Sequence, residues 1–227
     1  MSTHIWTSPH HEPRAVRALI PHLDFYGESR PRVSLGGDLF DFVPLPGGAL
    51  AMCIGEADFP ISRMQVFLRT RVADLEGDAA AVVAEANKFV CETAPGDLSG
   101  TLFCVRLDPD RREMRYASAR HLALLLRKKT GRARELETTG TVLGLSPRVK
   151  WQERRIPADP GDLIAAFSGE AREQEVLRVI REDPQARART LVSRILYETG
   201  CRTAVVARFL GDEECELEEE TAELAVA

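Results

Sequence analysis

Leu35-Gly36-Gly37-Asp38-Leu39-Phe40-Asp41-Phe42-Val43-Pro44-Leu45-Pro46-Gly47-Gly48-Ala49-Leu50-Ala51-Met52-Cys53-Ile54-Gly55-Glu56-Ala57-Asp58-Phe59-Pro60-Ile61 is the stretch on which the reading of this chain turns. It reads as a β-hairpin: one strand over residues 39–45, a turn at Pro46-Gly47-Gly48, and a returning strand over 49–54. The paired glycines supply the positive φ that a tight turn needs. A carboxylate follows a glycine at each end, as Gly37-Asp38 and Gly55-Glu56. Antiparallel pairing then brings Asp38 and Glu56 to the same end of two adjacent strands. Two such carboxylates suit a hard cation such as Mg²⁺ or Mn²⁺. The same dipeptides also occur in plain turns, so these residues alone leave both readings open.

Working outward, the 227 residues accommodate one domain with a full core. A hydrophobic share of 44% and a charged share of 29% are those of a globular protein. No apolar run approaches the length needed to cross a bilayer, and the first residues lack the apolar core of a signal peptide, so the expectation is a cytoplasmic protein away from the membrane. Five scattered cysteines without CxxC spacing read as buried or incidental thiols in a reducing compartment. The net charge of −5 is unevenly placed: residues 211–227 hold eight carboxylates and neither Lys nor Arg, leaving the remainder near +3. Such an acidic tail reads as a solvated end. The basic residues fall in small groups beside turn signals (Arg111-Arg112, Arg127-Lys128-Lys129), which gives no nucleic-acid footprint.

Residues 1–30 read as a polar lead-in with a short amphipathic piece at 15–23; its adjacent His10 and His11 do not share a face that could hold a metal. Apolar residues at Met64, Phe67, Leu68, Val72 and Leu75 have helical spacing, predicting a helix over 62–75. Asp78 can cap a second, alanine-rich helix over 79–92. Strands are predicted at 99–107, 113–119, 122–127, 151–156, 163–167 and 203–210, and two helices at 173–181 and 186–197. Strand groups alternating with helix pairs predict an α+β plan of two antiparallel sheets sandwiched by helices. The domain is placed at 31–210, with 211–227 as the tail.

Several spaced motifs carry a resemblance. Leu35-Gly36-Gly37-Asp38-Leu39-Phe40-Asp41-Phe42 resembles the VGGDYYDF opening of the SpoIIE/RsbU branch of the metal-dependent (PPM, PP2C-like) serine/threonine phosphatases. Ile54-Gly55-Glu56 stands where that family has IGD of IGDVSGHG. Thr101-Leu102-Phe103, Leu107-Asp108-Pro109, Leu143-Gly144-Leu145 and Pro160-Gly161-Asp162-Leu163-Ile164 are similar to its VTLFY, LDP, PLGL and PGDLL. Tyr116-Ala117-Ser118-Ala119-Arg120-His121 stands for YANAGH, with its Asn and Gly replaced. The resemblance covers roughly residues 30–210 and implies a PP2C-like four-layer αββα sandwich.

In that family, water bridging two metal ions attacks a phosphoserine or phosphothreonine, and a cluster of Asp side chains holds the metals. The resemblance maps those positions onto Asp38, Glu56, the strand Ala166-Phe167-Ser168-Gly169-Glu170 and the segment Gly200-Cys201-Arg202-Thr203. Asp38 is kept, Glu56 is one methylene too long, and Gly169, Gly200 and Cys201 are degenerate ligand positions, with Arg202 close by. Candidate metal ligands are therefore Asp38, Glu56, the backbone carbonyl of Ala57, and Asp58. A two-metal site is not expected; the cofactor is none, or a single weakly bound Mn²⁺ or Mg²⁺. Asp41, three residues beyond Asp38, faces the other side of the strand, which implies a turn or a role one contact removed from the site. His121 reads as a structural histidine, and no Ser or Cys has the setting of a nucleophile.

The function implied is that of a pseudophosphatase in bacterial partner-switching, acting by binding a regulatory protein such as an anti-sigma-factor antagonist, with a homodimer among the assemblies the resemblance allows. The alternative is an active Mn²⁺- or Mg²⁺-dependent phosphatase with Asp58 and Glu170 as substitute ligands. A third reading reuses the groove for a small ligand.

Overall fold

In the computed structural model the predicted hairpin forms, and it fixes the geometry of everything around it. Residues 20, 22–30, 37–58, 61–93 and 99–212 are described. Strand β2 (Gly37–Pro44) pairs antiparallel with β3 (Leu50–Ala57), and Asp38 faces Glu56 directly across the two strands. Pro46–Gly48 forms a single 3-10 turn in which Gly47 and Gly48 have φ of 74° and 70°, a conformation that side chains disfavour. The Leu45 amide donates to the Ala49 carbonyl at 2.8 Å and closes the turn.

The hairpin is the edge of a five-stranded antiparallel sheet, sheet I, in the order β2-β3-β4-β5-β8. Its other members are β4 (Gly100–Asp108), β5 (Glu113–Ala119) and β8 (Arg154–Pro157). Sheet II has the order β1-β10-β9-β6-β7, from β1 (Leu23–Ser29), β10 (Cys201–Phe209), β9 (Leu163–Gly169), β6 (Ala123–Leu126) and β7 (Ala133–Glu135). Four helices complete the fold: α1 (Ile61–Asp74), α2 (Ala79–Thr93), α3 (Glu173–Glu182) and α4 (Ala188–Glu198).

The period-2 pattern of the strands sorts their side chains into separate cores. Leu50, Met52 and Ile54 of β3 and Phe103, Val105 and Leu107 of β4 meet Ile164, Ala166, Val205 and Ala207 between the sheets. The alternate residues of sheet I, including Leu39, Ala51, Leu102 and Cys104, pack under α1 and α2 with Met64, Leu68, Val83 and Val90. The outer face of sheet II packs Phe167, Ala204 and Val206 against Val176, Ile180, Leu191 and Ile195 of α3 and α4. Helix, sheet, sheet, helix is the four-layer αββα sandwich expected from the sequence. Burying a side chain such as Leu68 or Ile195 stabilises it by roughly 1.5–3 kcal/mol relative to exposure.

Polar contacts pin the layers. The Asp78 carboxylate accepts from the Ala81 amide at 2.9 Å, the helix cap anticipated for α2. Asp24 of β1 accepts from the Ala188 amide at 2.7 Å, so a strand of sheet II holds the start of α4. Asp41 is buried under α1, where the Arg69 Nε donates to its Oδ2 at 2.7 Å. It sits in mid-strand rather than in a turn, and it couples β2 to the helix layer.

The structure corrects the sequence reading in three places. Residues 23–29, assigned to the lead-in, form β1, which pairs with β10 along its whole length from Leu23–Phe209 to Ser29–Thr203. The sheet therefore begins before residue 31. The short strand β7 was not anticipated; it is a three-residue edge strand with mostly exposed side chains, so it has no apolar alternation to read. The strand expected at 151–156 begins only at Arg154; Trp151 instead packs flat on Gly140 and donates its Nε1 to the Thr141 carbonyl at 3.0 Å. The lead-in before residue 20 and the tail beyond residue 212 lie outside the described residues. No helix among the described residues is long and apolar enough to cross a membrane.

Candidate active site

At one end of the sandwich a polar rung on each sheet replaces the apolar rungs of the core. On sheet I the rung is Asp38, Glu56 and Thr101, aligned by the pairings of β2 with β3 and β3 with β4. On sheet II it is Ser29, Thr203 and Ser168. The Phe167 amide donates to the Leu122 carbonyl, which continues the β6–β9 register and sets His121 opposite Ser168. Hydrogen bonds join the rungs across the gap: the Thr203 hydroxyl donates to Asp38 Oδ2 at 3.0 Å, and Thr101 Oγ1 bonds His121 Nδ1 at 2.9 Å. Ser29 and Thr203 hydroxyls are 2.7 Å apart.

The decisive side chain is Arg202. In β10, Cys201 pairs with Gly169 and Thr203 with Ser168, so Arg202 is an extra residue without a partner on β9. This β-bulge breaks the alternation of the strand and re-aims one side chain. Cys201 points into the apolar core beneath α3 and α4. Arg202 reaches instead toward sheet I, where its Nε and Nη2 lie 3.3 and 3.4 Å from the Asp38 oxygens and its Nη2 also contacts Glu56 Oε1. The hydrogen bond to Asp38 raises the Arg202 pKa above its ordinary value, so the guanidinium is a fixed positive charge.

The carboxylate pair is therefore already bridged, and its charge halved, by a cation of the chain itself. Both Asp38 oxygens are engaged, by Arg202 and Thr203, and Glu56 shares the same guanidinium. Asp58 and Glu170 are exposed, and among the described residues no three His, Cys, Asp or Glu side chains converge into a group that could hold a metal. Ala57 lies between Gly37 and Gly100 on the last rung of β3. A divalent cation such as Mg²⁺ requires about six oxygen ligands and compensating negative charge. Here the available donors are two carboxylates with a guanidinium between them. The residues present do not fit a two-metal centre.

The degenerate positions are structurally committed in the same sense. Gly169 has φ of 108°, and a Cβ there would lie 2.7 Å from the Gly200 carbonyl oxygen and 2.8 Å from the Arg202 amide. A Cβ at Gly200 would press at 3.3 Å on the Glu170–Ala171 backbone. Burial pushes the Cys201 thiol up to about 11. Cys201 thus differs from the sequence mapping: the side chain aimed at Asp38 belongs to Arg202, one residue on, because of the bulge.

His121 lies at the back of the site, 5% exposed. Burial lowers its pKa to about 4, an effect only partly opposed by the negative charge of Asp38, so the imidazole is neutral at pH 7. Its Nε2, like the Ser168 hydroxyl, has no hydrogen-bond partner among the described residues. Ser118 bonds both the amide and the carbonyl of His121, closing a turn in which Arg120 takes φ of 58°. That positive φ explains why a glycine suits the position held here by Arg120. Arg202, Thr203 and Ser29 were not singled out as site residues from sequence; the available signal was a basic residue beside a position where a carboxylate was expected.

The sequence profile described as Stage II sporulation protein E (SpoIIE) matches residues 56–202, well over half of the chain. The chain belongs to the SpoIIE family. Solved structures with the same fold include the RsbU and RsbW domains of Rv1364c from Mycobacterium tuberculosis, at 22% identity and a TM-score of 0.66 over 84% of this chain. This SpoIIE-family chain spans 61% of that structure. The SiaA-PP2C domain of Pseudomonas aeruginosa aligns at 15% identity and a TM-score of 0.66, covering 87% of this chain and 90% of the other. The catalytic domain of the serine threonine protein phosphatase PstP, in complex with two manganese ions, aligns at 16% identity and a TM-score of 0.60 over 83% of this chain and 99% of that one. These likenesses establish the PP2C-like fold. No curated protein sequence matches the chain.

Proposed function

We propose that this SpoIIE-family domain is a pseudophosphatase, a partner-switching component that binds a regulatory phosphoprotein without hydrolysing it. The observation that carries the reading is the Arg202 guanidinium held between Asp38 and Glu56, the strand ends onto which the motif resemblance maps the family's metal-binding carboxylates. A two-metal hydrolase needs those carboxylates free and supplemented by others, because the metals supply both the nucleophilic hydroxide and the charge that stabilises the phosphoryl oxygens. In this chain the same end of the sandwich is held together by an internal ion bridge. The domain then keeps its shape without a bound metal, and its surface remains available for binding.

Family membership and the company its relatives keep support this partner class. The Mycobacterium tuberculosis structure joins an RsbU domain to an RsbW domain, and an anti-sigma-factor antagonist is the corresponding ligand proposed here. The test is calorimetric titration of the purified chain with such an antagonist, in phosphorylated and unphosphorylated forms, with Mn²⁺ and with a chelator. Saturable binding that is indifferent to the chelator, with the phosphate retained on the antagonist, is expected. Mn²⁺-dependent release of phosphate would overturn the reading and establish the alternative in which Asp58 and Glu170 act as substitute ligands.

A further inference from the structure

Cys53 and Cys104 stand apart from the polar site and have no role in the proposed function. They are direct cross-strand partners on β3 and β4, on the helix-facing side of sheet I. Their sulfurs are 2.9 Å apart, and each residue is 2% exposed. At that separation the two sulfurs are in direct contact, and either can donate a hydrogen bond to the other. Directly opposed antiparallel residues have Cα separations of about 4.5–5.5 Å. That lies inside the 4.4–6.8 Å range over which a disulfide closes, with an S–S bond of about 2.05 Å. Ala51, Val72, Gly77, Ala79 and Val82 line the space beside both sulfurs.

We propose that Cys53 and Cys104 form an oxidative modification site, a dithiol that a two-electron oxidant such as hydrogen peroxide converts into a cross-strand disulfide. One thiol loses its proton and attacks peroxide, giving a sulfenic acid and releasing water. The sulfur of the second thiol then attacks the sulfenic sulfur, loses its proton, and expels hydroxide, which leaves as water. Two thiols and one peroxide yield one disulfide and two waters, and the two electrons pass from the sulfurs to the peroxide oxygens. The resolving thiol is already in contact with the reacting sulfur, so the sulfenic acid is captured before further oxidation.

The hydrogen bond to Cys104, together with burial, raises the Cys53 thiol well above its usual range. Reaction from the closed state is therefore slow and follows transient opening of the α1–α2 layer. The link joins residues three rungs from the Glu56–Thr101 pair and fixes the register of β3 against β4. Among the described residues the other thiols are poorly placed to compete: Cys91 lies on α2 and Cys201 in the core of the other sheet.

The test uses the full-length chain, equilibrated with hydrogen peroxide in sub-denaturing urea until Cys91 has reacted, then denatured, alkylated and mapped. The expected result is a peptide pair joined through Cys53 and Cys104, lighter by about 2 Da than the reduced pair and restored by dithiothreitol. Free thiols at those two positions should fall to a small fraction of the reduced sample. In a Cys91→Ala/Cys215→Ser background the same loss of two thiols should persist, and Cys104→Ala should abolish it. Full recovery of both residues as alkylatable thiols would overturn the proposal. So would Cys53 found as sulfinic acid, or joined to any cysteine other than Cys104.

Discussion

Arg202 is the residue on which the stability of the polar end turns. Its guanidinium satisfies the buried Asp38 and ties sheet II to sheet I. Removing it leaves Asp38, whose side chain is 4% exposed, with only the Thr203 hydroxyl as a donor from β10. Arg202→Ala is therefore expected to cost roughly 2–4 kcal/mol, below the full penalty of a completely buried pair because Arg202 and Glu56 are partly solvated. Urea unfolding measures this, and an unchanged midpoint would show that the bridge contributes no stability. His121 gives a second prediction. Its folded-state pKa of about 4 lies below the ordinary 6.5, so the unfolded chain binds the proton first. Stability from this group is intact above pH 6.5 and lost as the pH falls toward 4. The loss reaches roughly 2 kcal/mol by pH 5. A His121→Asn variant should lose that part of the pH dependence; an unaltered profile would show that other groups cause it.

Among the elements, the bulge in β10 is the one that decides the site. Restoring the family's carboxylates by sequence alignment would choose Cys201→Asp, but that side chain points into the apolar core under α3 and α4. Cys201→Asp should destabilise the fold by more than about 2 kcal/mol, because it buries a carboxylate without a partner. Arg202→Asp points its carboxylate toward Asp38, but it removes the bridge and adds a third like charge beside Asp38 and Glu56, so in a thermal unfolding comparison it should be less stable than Arg202→Ala. The hairpin, both helix pairs and most strands were legible in the sequence because their apolar periods are strong. Leu23–Ser29 was not: it follows a polar segment rich in His and Pro that reads as a lead-in, and Tyr26, Gly27 and Glu28 break the alternation on which a strand is recognised. The bulge was not legible either. A single extra residue leaves no mark in the pattern, and only the pairing of Cys201 with Gly169 and Thr203 with Ser168 reveals that Arg202 is turned inward.

In the whole molecule, a four-layer PP2C-like sandwich carries an ion bridge at the end where Asp38 and Glu56 lie. The layers depend on apolar cores that the Asp38, Glu56 and Arg202 side chains do not join. Adding metal should then have little effect on the thermal midpoint, since a ligand stabilises only through binding to the native state. A rise of several degrees in millimolar Mn²⁺ would indicate a site that the ion bridge does not close. The most direct test of the central claim is hydrolysis of p-nitrophenyl phosphate by the purified chain over a range of Mn²⁺ concentrations. The expected turnover is indistinguishable from buffer. Robust Mn²⁺-dependent turnover that disappears in Asp38→Ala would contradict the account, because Asp38 would then be holding a catalytic metal rather than Arg202.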